Sequence, residues 1–401
     1  PSRNSIIEKR THMKTMIIEI FRLICGLLLI GNLVYAADNR PPIVVGATVS
    51  LEGKYLEPSL MIQKAFLFWI KEINQNNGLH GRKVKLILYN DKSNVDLTRI
   101  LYKKLIEQDK VDLVFSPYST PLTLVASEIS EQHNMLMLAV AAAGEKPWQR
   151  NFRYLFQLYA PAKRQFIGLL DMMAKNKYKS LSLLYDDSSD FNIDIIKGIL
   201  EWAKIYKIDI LTKKSYQDGK KELPGLLQEV KAKGAEGLVL SAYPPDSYEL
   251  LRLLEKMSYK PTVLAMPIAP VHPDFQKTVG DIANHILSPS QWEPDERIPF
   301  PGTRSFIEGF SIFANHLPSF HAASAYAACQ LFEQAISRTQ SFDNQKLRDY
   351  IAALNTVTVL GRFKVDFTGK QIGHNSFIIQ WQKGKKEIVW PQKMQTSQAI
   401  F

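Results

Sequence analysis

From residue 42 onward, short runs of apolar and β-branched residues alternate with longer stretches in which apolar residues recur every three or four positions. The first kind predicts strands at residues 43–46, 84–88, 111–115 and 135–139. The second predicts helices at 60–74, 95–108 and 121–132. In the first of these helices Ile62, Phe66, Trp69 and Ile73 share one face, and Asn76-Asn77-Gly78 supplies the stop. Strands that are apolar on both faces and separated by amphipathic helices predict a parallel sheet covered on both sides.

The rhythm restarts after Phe152-Arg153-Tyr154, with helix 162–176, strand 181–185, helix 193–206, strand 208–211 and a helix through 226–233. Strand 237–241, helix 247–257 and strand 262–265 complete a second unit of similar size. The two units share a pattern but no visible sequence repeat. A loop with four prolines at 288–301 follows, then helical stretches at 304–315 and 322–337. The β-rich runs 377–381 and 387–390 flank Lys383-Gly384-Lys385, which predicts a hairpin. No low-complexity linker separates the halves, so two α/β units packed with a cleft between them are expected.

The N-terminal region departs from this pattern. Met13-Lys14 and Arg22 precede an uncharged apolar run from Leu23 to Tyr35 that ends in Val34-Tyr35-Ala36-Ala37. These are the three parts of a secretory signal with cleavage after Ala36, and residues 1–12 are expected to lie upstream of the start at Met13. The run is shorter than the roughly 20 residues a spanning helix needs, so no stable membrane insertion of the mature chain is expected. Arg22-Leu23-Ile24 ahead of Cys25 does not suit lipid attachment. Removal of residues 1–36 takes away five basic and two acidic residues and changes the net charge from +11 to +8. The mature chain keeps one cysteine, Cys329, which rules out an internal disulfide; it is expected to be a small buried core residue. The basic residues are scattered, with no stripe interleaved with aromatics, which argues against nucleic acid as a partner.

Motifs of catalysis are missing: there is no phosphate-binding Gly-rich loop with lysine, no Gly-x-Ser-x-Gly and no His-Glu-x-x-His. The eight histidines are isolated, and His316 and His321 lie five apart across a proline, so neither metal nor cofactor is expected. Asp186-Asp187-Ser188-Ser189-Asp190 resembles a carboxylate-rich site, but Asp and Ser also cap the helix that follows. A hydrolase using Asp186, Asp187 or Asp190 would still lack a recognisable nucleophile and base. Ligands of open α/β sheets bind outside the carboxyl ends of the strands. Here those ends fall at 50–55, 116–120, 141–144, 186–191, 242–245 and 266–271, and they are mostly small, aromatic or apolar, with hydroxyls at Ser116, Ser119 and Thr120. This describes a binding pocket and not an enzyme.

Several segments, in their order and spacing, give the chain a family resemblance. "FWIKEINQNNGLHGRKVKLILYND", "FSPYSTP", "LLYDDSSDF", "AYAACQLFEQAI" and "FIIQWQKGKKEIVWP" together resemble type I periplasmic binding proteins of the branched-chain amino acid binding family, over about residues 42–391. The resemblance implies an α/β fold of two Rossmann-like lobes joined by three hinge crossovers. Lobe 1 would take 42–160 plus 293–372, and lobe 2 would take 161–292 plus 373–391. It implies a periplasmic monomer that closes on a small-molecule ligand and delivers it to an ABC transporter permease. The same fold could instead serve as the sensor component of a membrane receptor.

The resemblance places a carboxylate-binding hydroxyl at Ser119, with Ser116, Tyr118, Thr120 and Ala141 around it. It puts cleft residues at Tyr55, at Asp190 or Phe191, at Tyr243 and at Tyr326. Two positions depart from the family. Ala143 stands about where amino-acid-binding members have a threonine hydroxyl, and Ile268 about where they have an acidic residue. Both normally hold the ligand's ammonium group, and burying an ammonium without such partners costs several kcal/mol. A carboxylate or amide is therefore expected in place of a branched-chain amino acid, with the amino acid as the alternative. The family's disulfide is also missing, since Ser93 and Tyr118 occupy its approximate places.

Overall fold

The computed structural model describes residues 40–401, so the expected signal segment at 1–36 lies outside the described residues. The chain opens with β1 (Ile43–Val49), α1 (Leu56–Gln75), β2 (Val84–Asn90), α2 (Val95–Lys103), β3 (Leu113–Phe115), α3 (Thr120–Gln132), β4 (Met137–Ala139) and β5 (Leu155–Gln157). These strands form a wholly parallel sheet in the order β2-β1-β3-β4-β5. β1 is almost continuously apolar because both of its faces are buried, as a central parallel strand requires. The α1 stop works as its residues suggest: Gly78, at φ +70, donates its N–H to Ile73 O, and a Cβ there would stand 1.9 Å from Arg82 O.

The second part comprises α4 (Ile167–Lys175), β6 (Ser180–Asp186), α5 (Asp190–Tyr206), β7 (Asp209–Tyr216), α6 (Gly219–Lys233) and β8 (Gly237–Ser241). It continues with α7 (Pro244–Lys256), β9 (Val263–Ala265), the short α8 (Phe275–Val279) and β10 (Leu287–Ser290). The chain then forms α9 (Thr303–Ala314), α10 (Phe320–Thr339), α11 (Asn344–Ala353) and the small hairpin of β11 (Asn355–Thr358) and β12 (Gly361–Lys364). It ends with β13 (Phe377–Gln382) and β14 (Lys385–Trp390).

The second sheet has seven strands in the order β14-β13-β10-β9-β8-β6-β7, in which β13 is antiparallel to both of its neighbours and all other pairs are parallel. The chain thus crosses between lobes three times: from β5 to β6, from β10 to α9, and from β12 to β13. Helices α9 and α10 pack on α1 of the first lobe; Phe306 and Phe310 meet Phe68, and Trp69 Nε1 donates to Glu333 at 2.6 Å. Cys329 is fully buried on α10. Among the described residues no helix is long and apolar enough to cross a membrane.

The structure changes some predicted elements. Residues 162–176 are a 3₁₀ turn at Ala162–Arg164 and then α4, and not the single helix that the pattern predicts. The proline-rich loop at 288–301 begins inside β10, whose Pro289 pairs across from Ile378.

Candidate functional site

Between the two sheets, at their strand ends, a cavity opens with about 370 Å³ of empty space including its mouth, of which about 20 Å³ is open to the centres of water-sized molecules. The second figure is about one water's worth, so a larger molecule enters only if the lobes part or the lining side chains swing. One wall is the N-terminal end of α3, where β3 runs into Ser116-Pro117-Tyr118-Ser119. Ser119 caps the helix, its Oγ accepting the Leu122 N–H at 3.4 Å, and donates its own N–H to Ala141 O at 3.2 Å. The Thr120 N–H heads the first turn, where a helix has no intrahelical acceptor to offer, and the helix dipole there favours negative charge. Ala141 and Ala143 form the adjoining wall. Thr120 Oγ1 accepts the Gly144 N–H at 3.0 Å, which locks the two loops together.

Two lining residues, one on each lobe, have backbones that side chains rarely tolerate. Ser119 sits at φ 86, ψ 153, a region left almost wholly to glycine. Ile268 sits at φ 68, ψ −71, and the Ala269 N–H donates to Pro267 O at 2.9 Å, which makes a strained γ-turn around a β-branched residue. Local strain of this kind persists only where the surroundings over-determine it, and it gathers at ligand sites.

Aromatic rings close the cleft. Tyr55 packs at 4.7 Å from Tyr243 and 5.7 Å from Tyr118, so rings from both lobes meet. Phe191 lies 6.1 Å from Tyr243, whose hydroxyl shares a hydrogen with Ser189 Oγ at 3.2 Å. Tyr159 OH and His321 Nδ1 are 2.7 Å apart. Burial pushes the Tyr55 phenol up to about 12 and Tyr118, Tyr159 and Tyr243 well above their usual range, so all four stay neutral donors. Burial also pushes His321 down to about 3, so it is a neutral imidazole at pH 7. Among the described residues no aspartate, glutamate, lysine or arginine lines the cavity.

Of the residues expected from the sequence, Tyr118, Ser119, Thr120, Ala141, Ala143, Phe191, Tyr243 and Ile268 line the cavity, and Tyr55 stands behind two of them. Three stand elsewhere. Ser116 is spent inside the fold, its Oγ accepting the Val140 N–H at 3.0 Å. Asp190 faces Lys146 at 3.4 Å, which leaves Phe191 as the lining member of that pair. Tyr326 donates to Glu72 at 2.7 Å and packs on Phe306 and Phe68, so it belongs to the contact of α10 with α1 and α9. It lies five residues beyond His321, roughly 140° around the helix from it, and His321 with Phe320 takes the lining place on α10. Tyr159, Gln165 and Gln291 also line the cavity and sit on the crossovers, whose path no local pattern reveals. Ser93 does locally what a cross-link would do: its Oγ accepts the Tyr55 N–H at 3.1 Å and donates to Glu52 O at 2.7 Å.

Two α/β lobes, three crossings and an enclosed cleft at the strand ends define a solute-binding protein fold. The chain belongs to the periplasmic binding proteins, whose family model matches residues 42–386, and within them to the type I, branched-chain amino acid binding group. It is 22% identical over 355 residues to Leu/Ile/Val-binding protein homolog 8 of Brucella abortus (strain 2308), covering 83% of this chain and 86% of that one. Among solved structures it resembles the branched-chain amino acid transporter substrate binding protein LivJ of Streptococcus pneumoniae in complex with isoleucine. That match has a TM-score of 0.79 at 19% identity, over 87% of this chain and 100% of that one. It also resembles a solute binding protein of an ABC transporter from Rhodopseudomonas palustris BisB5 in complex with 3,4-dihydroxy benzoic acid. There the TM-score is 0.75 at 20% identity, over 90% of this chain and 98% of that one. At these identities the structural likeness speaks for the fold.

Proposed function

We propose that this chain is an exported periplasmic protein that captures a small carboxylate or amide without an α-ammonium group, by hinge closure, and delivers it to an ABC transporter permease. The lobes would be 42–160 with 293–372 and 161–292 with 373–391. One observation carries the ligand class: among the described residues the cavity has hydroxyls, neutral rings and a helix N-terminus but no carboxylate, with Ala143 and Ile268 both on its wall. A carboxylate or amide group would meet Ser119, Thr120 and the first turn of α3, while an apolar or aromatic body would pack on the alanines, Phe191 and Tyr243. Related folds accommodate both kinds of ligand, since one neighbour holds isoleucine and another a dihydroxybenzoate.

An α-ammonium placed here would forgo two charge-assisted hydrogen bonds worth about 1.5–3 kcal/mol each. That is a loss of roughly a hundredfold to ten-thousandfold in affinity. Native mass spectrometry of freshly purified protein would identify a carried ligand. Calorimetric titration of refolded, ligand-free protein then compares leucine, isoleucine and valine with carboxylates and amides of similar size. Weak or undetectable amino acid binding is expected; submicromolar leucine binding would refute the reading.

A further inference from the structure

Away from the cavity, the loop after β9 and the loop after α9 bring together three side chains that the binding site does not use. His316 Nε2 lies 2.7 Å from Asp274 Oδ2, and His316 Nδ1 lies 2.7 Å from Leu317 O. The His272 and His316 rings are 5.5 Å apart, and one ligating atom from each of His272, Asp274 and His316 falls within 4.8 Å of the other two. Among the described residues this is the one group of three or more His, Cys, Asp or Glu side chains gathered so closely. We propose that His272, Asp274 and His316 form a binding site for a divalent transition cation of the zinc class, which ties the second lobe to α9 of the first.

The donor set fits. When Nδ1–H of His316 donates to Leu317 O, the tautomer is fixed and the Nε2 lone pair faces a carboxylate. Two acceptors at that distance need a proton or a cation between them. The third donor is the His272 imidazole. Its lone pair on Nδ1 accepts the Asp274 N–H at 3.2 Å, a long bond that a cation would replace. Two imidazoles and a carboxylate suit zinc, with bonds of about 2.0–2.2 Å and a fourth position left to water. Tetrahedral geometry at that bond length needs ligand atoms roughly 3.3 Å apart, between the 2.7 Å that separates His316 Nε2 from Asp274 Oδ2 and the 4.8 Å that encloses all three. The cations nearby are Lys64, Lys277 and Lys386; Lys386 is paired with Glu293 at 2.6 Å, which limits its repulsion.

Spacing along the sequence conceals this group, since His316 meets partners more than forty residues before it. The proposal rests on these side chains alone and not on the ligand class assigned above. The test is calorimetric titration of zinc chloride into chelator-treated, tag-free protein at pH 7.5, beside His272→Ala, Asp274→Ala, His316→Ala and His316→Gln. One saturable site per chain is expected, weakened at least about tenfold in every variant. All three positions are half-buried, and His316→Gln, which retains a donor for Leu317 O, serves as the check on folding. Absence of saturable binding by the wild-type protein overturns the proposal, as does any variant that loses less than tenfold.

Discussion

Ile268 and Ser119 show how much conformational cost single residues carry at this cleft. A γ-turn around a β-branched residue costs about 1–3 kcal/mol in backbone strain, which glycine would relieve. Ile268→Ala and Ile268→Gly both remove the same buried side chain, yet only the second relaxes the backbone. Glycine, usually the more destabilising replacement, is therefore expected to be the more stable of the two by about 1 kcal/mol or more; urea midpoints compare them directly. His321 gives a second expectation. Its folded pKa, about 3, lies below its unfolded value, so the unfolded chain takes up the proton first. The contribution is complete above about pH 6.5 and is lost as pH falls from there toward 3, at up to about 1.4 kcal/mol per pH unit. His374 and His272, both pushed down to about 4, act in the same direction. Glu57, Asp91 and Glu333, raised by burial, act oppositely. Denaturation curves at pH 7, 6, 5 and 4.5 should show a shallower acid slope for His321→Asn than for the wild type. At this scale the sequence revealed the small and aromatic residues at strand ends, because chain order alone determines those positions. It did not reveal His321, Tyr159, Gln165 or Gln291, which reach the cavity through a helix phase and crossovers set by tertiary packing.

Elements with strong periodicity were legible. Strand 237–241 and the helices around 121–132, 247–257 and 322–337 agree with the structure to within a few residues, because burial of one face or both leaves a repeated mark. The three-residue β5, the proline-bearing β10 and the β11–β12 hairpin were not legible. In them, neighbouring strands and not local preference decide the conformation. Packing between elements also sets which helical glycines can be replaced. In α5, a Cβ on Gly198 would stand 2.2 Å from Lys163 O, whereas a Cβ on Gly225 in α6 would meet nothing within 4 Å. Gly198→Ala is expected to destabilise by about 1–3 kcal/mol or more through forced backbone movement. Gly225→Ala is expected to stabilise by about 0.5–1 kcal/mol. Chemical denaturation of both variants checks the pair, and similar midpoints would contradict the packing of α5 on the 3₁₀ turn.

In the molecule as a whole, contacts around the cleft tie the lobes together. Tyr248 OH donates to Glu57 at 2.6 Å, Lys54 reaches Ser188 at 3.2 Å, and the Glu145 N–H reaches Asp194 at 2.8 Å. Tyr248→Phe removes one such tie and leaves the half-buried Glu57 without its donor, which costs about 1 kcal/mol. Small-angle scattering is expected to show a larger radius of gyration for this variant than for the wild type without ligand, and convergence of the two on saturation with a ligand found by mass spectrometry. Equal radii in the free proteins would mean that this bond does not bias closure. The two-lobed plan was legible as a repeated βα rhythm, whereas the division of the late chain between the lobes came from the family resemblance alone, because nothing local marks where a chain changes sheets.

The pairing of β13 with β10 places Leu287 opposite Gln380, and it has a consequence for the order in which the molecule can form. The inner face of α1 waits for α9 and α10, which are synthesised only after nearly all of the second sheet, and that sheet waits for the last strands of the chain. Neither lobe can finish its core from a contiguous stretch, so folding is dominated by distant contacts and is expected to be slow. A ribosome-bound chain ending before Thr303 would expose both an unfilled sheet edge and an uncovered core, the state most open to misassembly. Commitment to the native state therefore waits for the strands between Phe377 and Trp390, long after those of the first lobe have emerged.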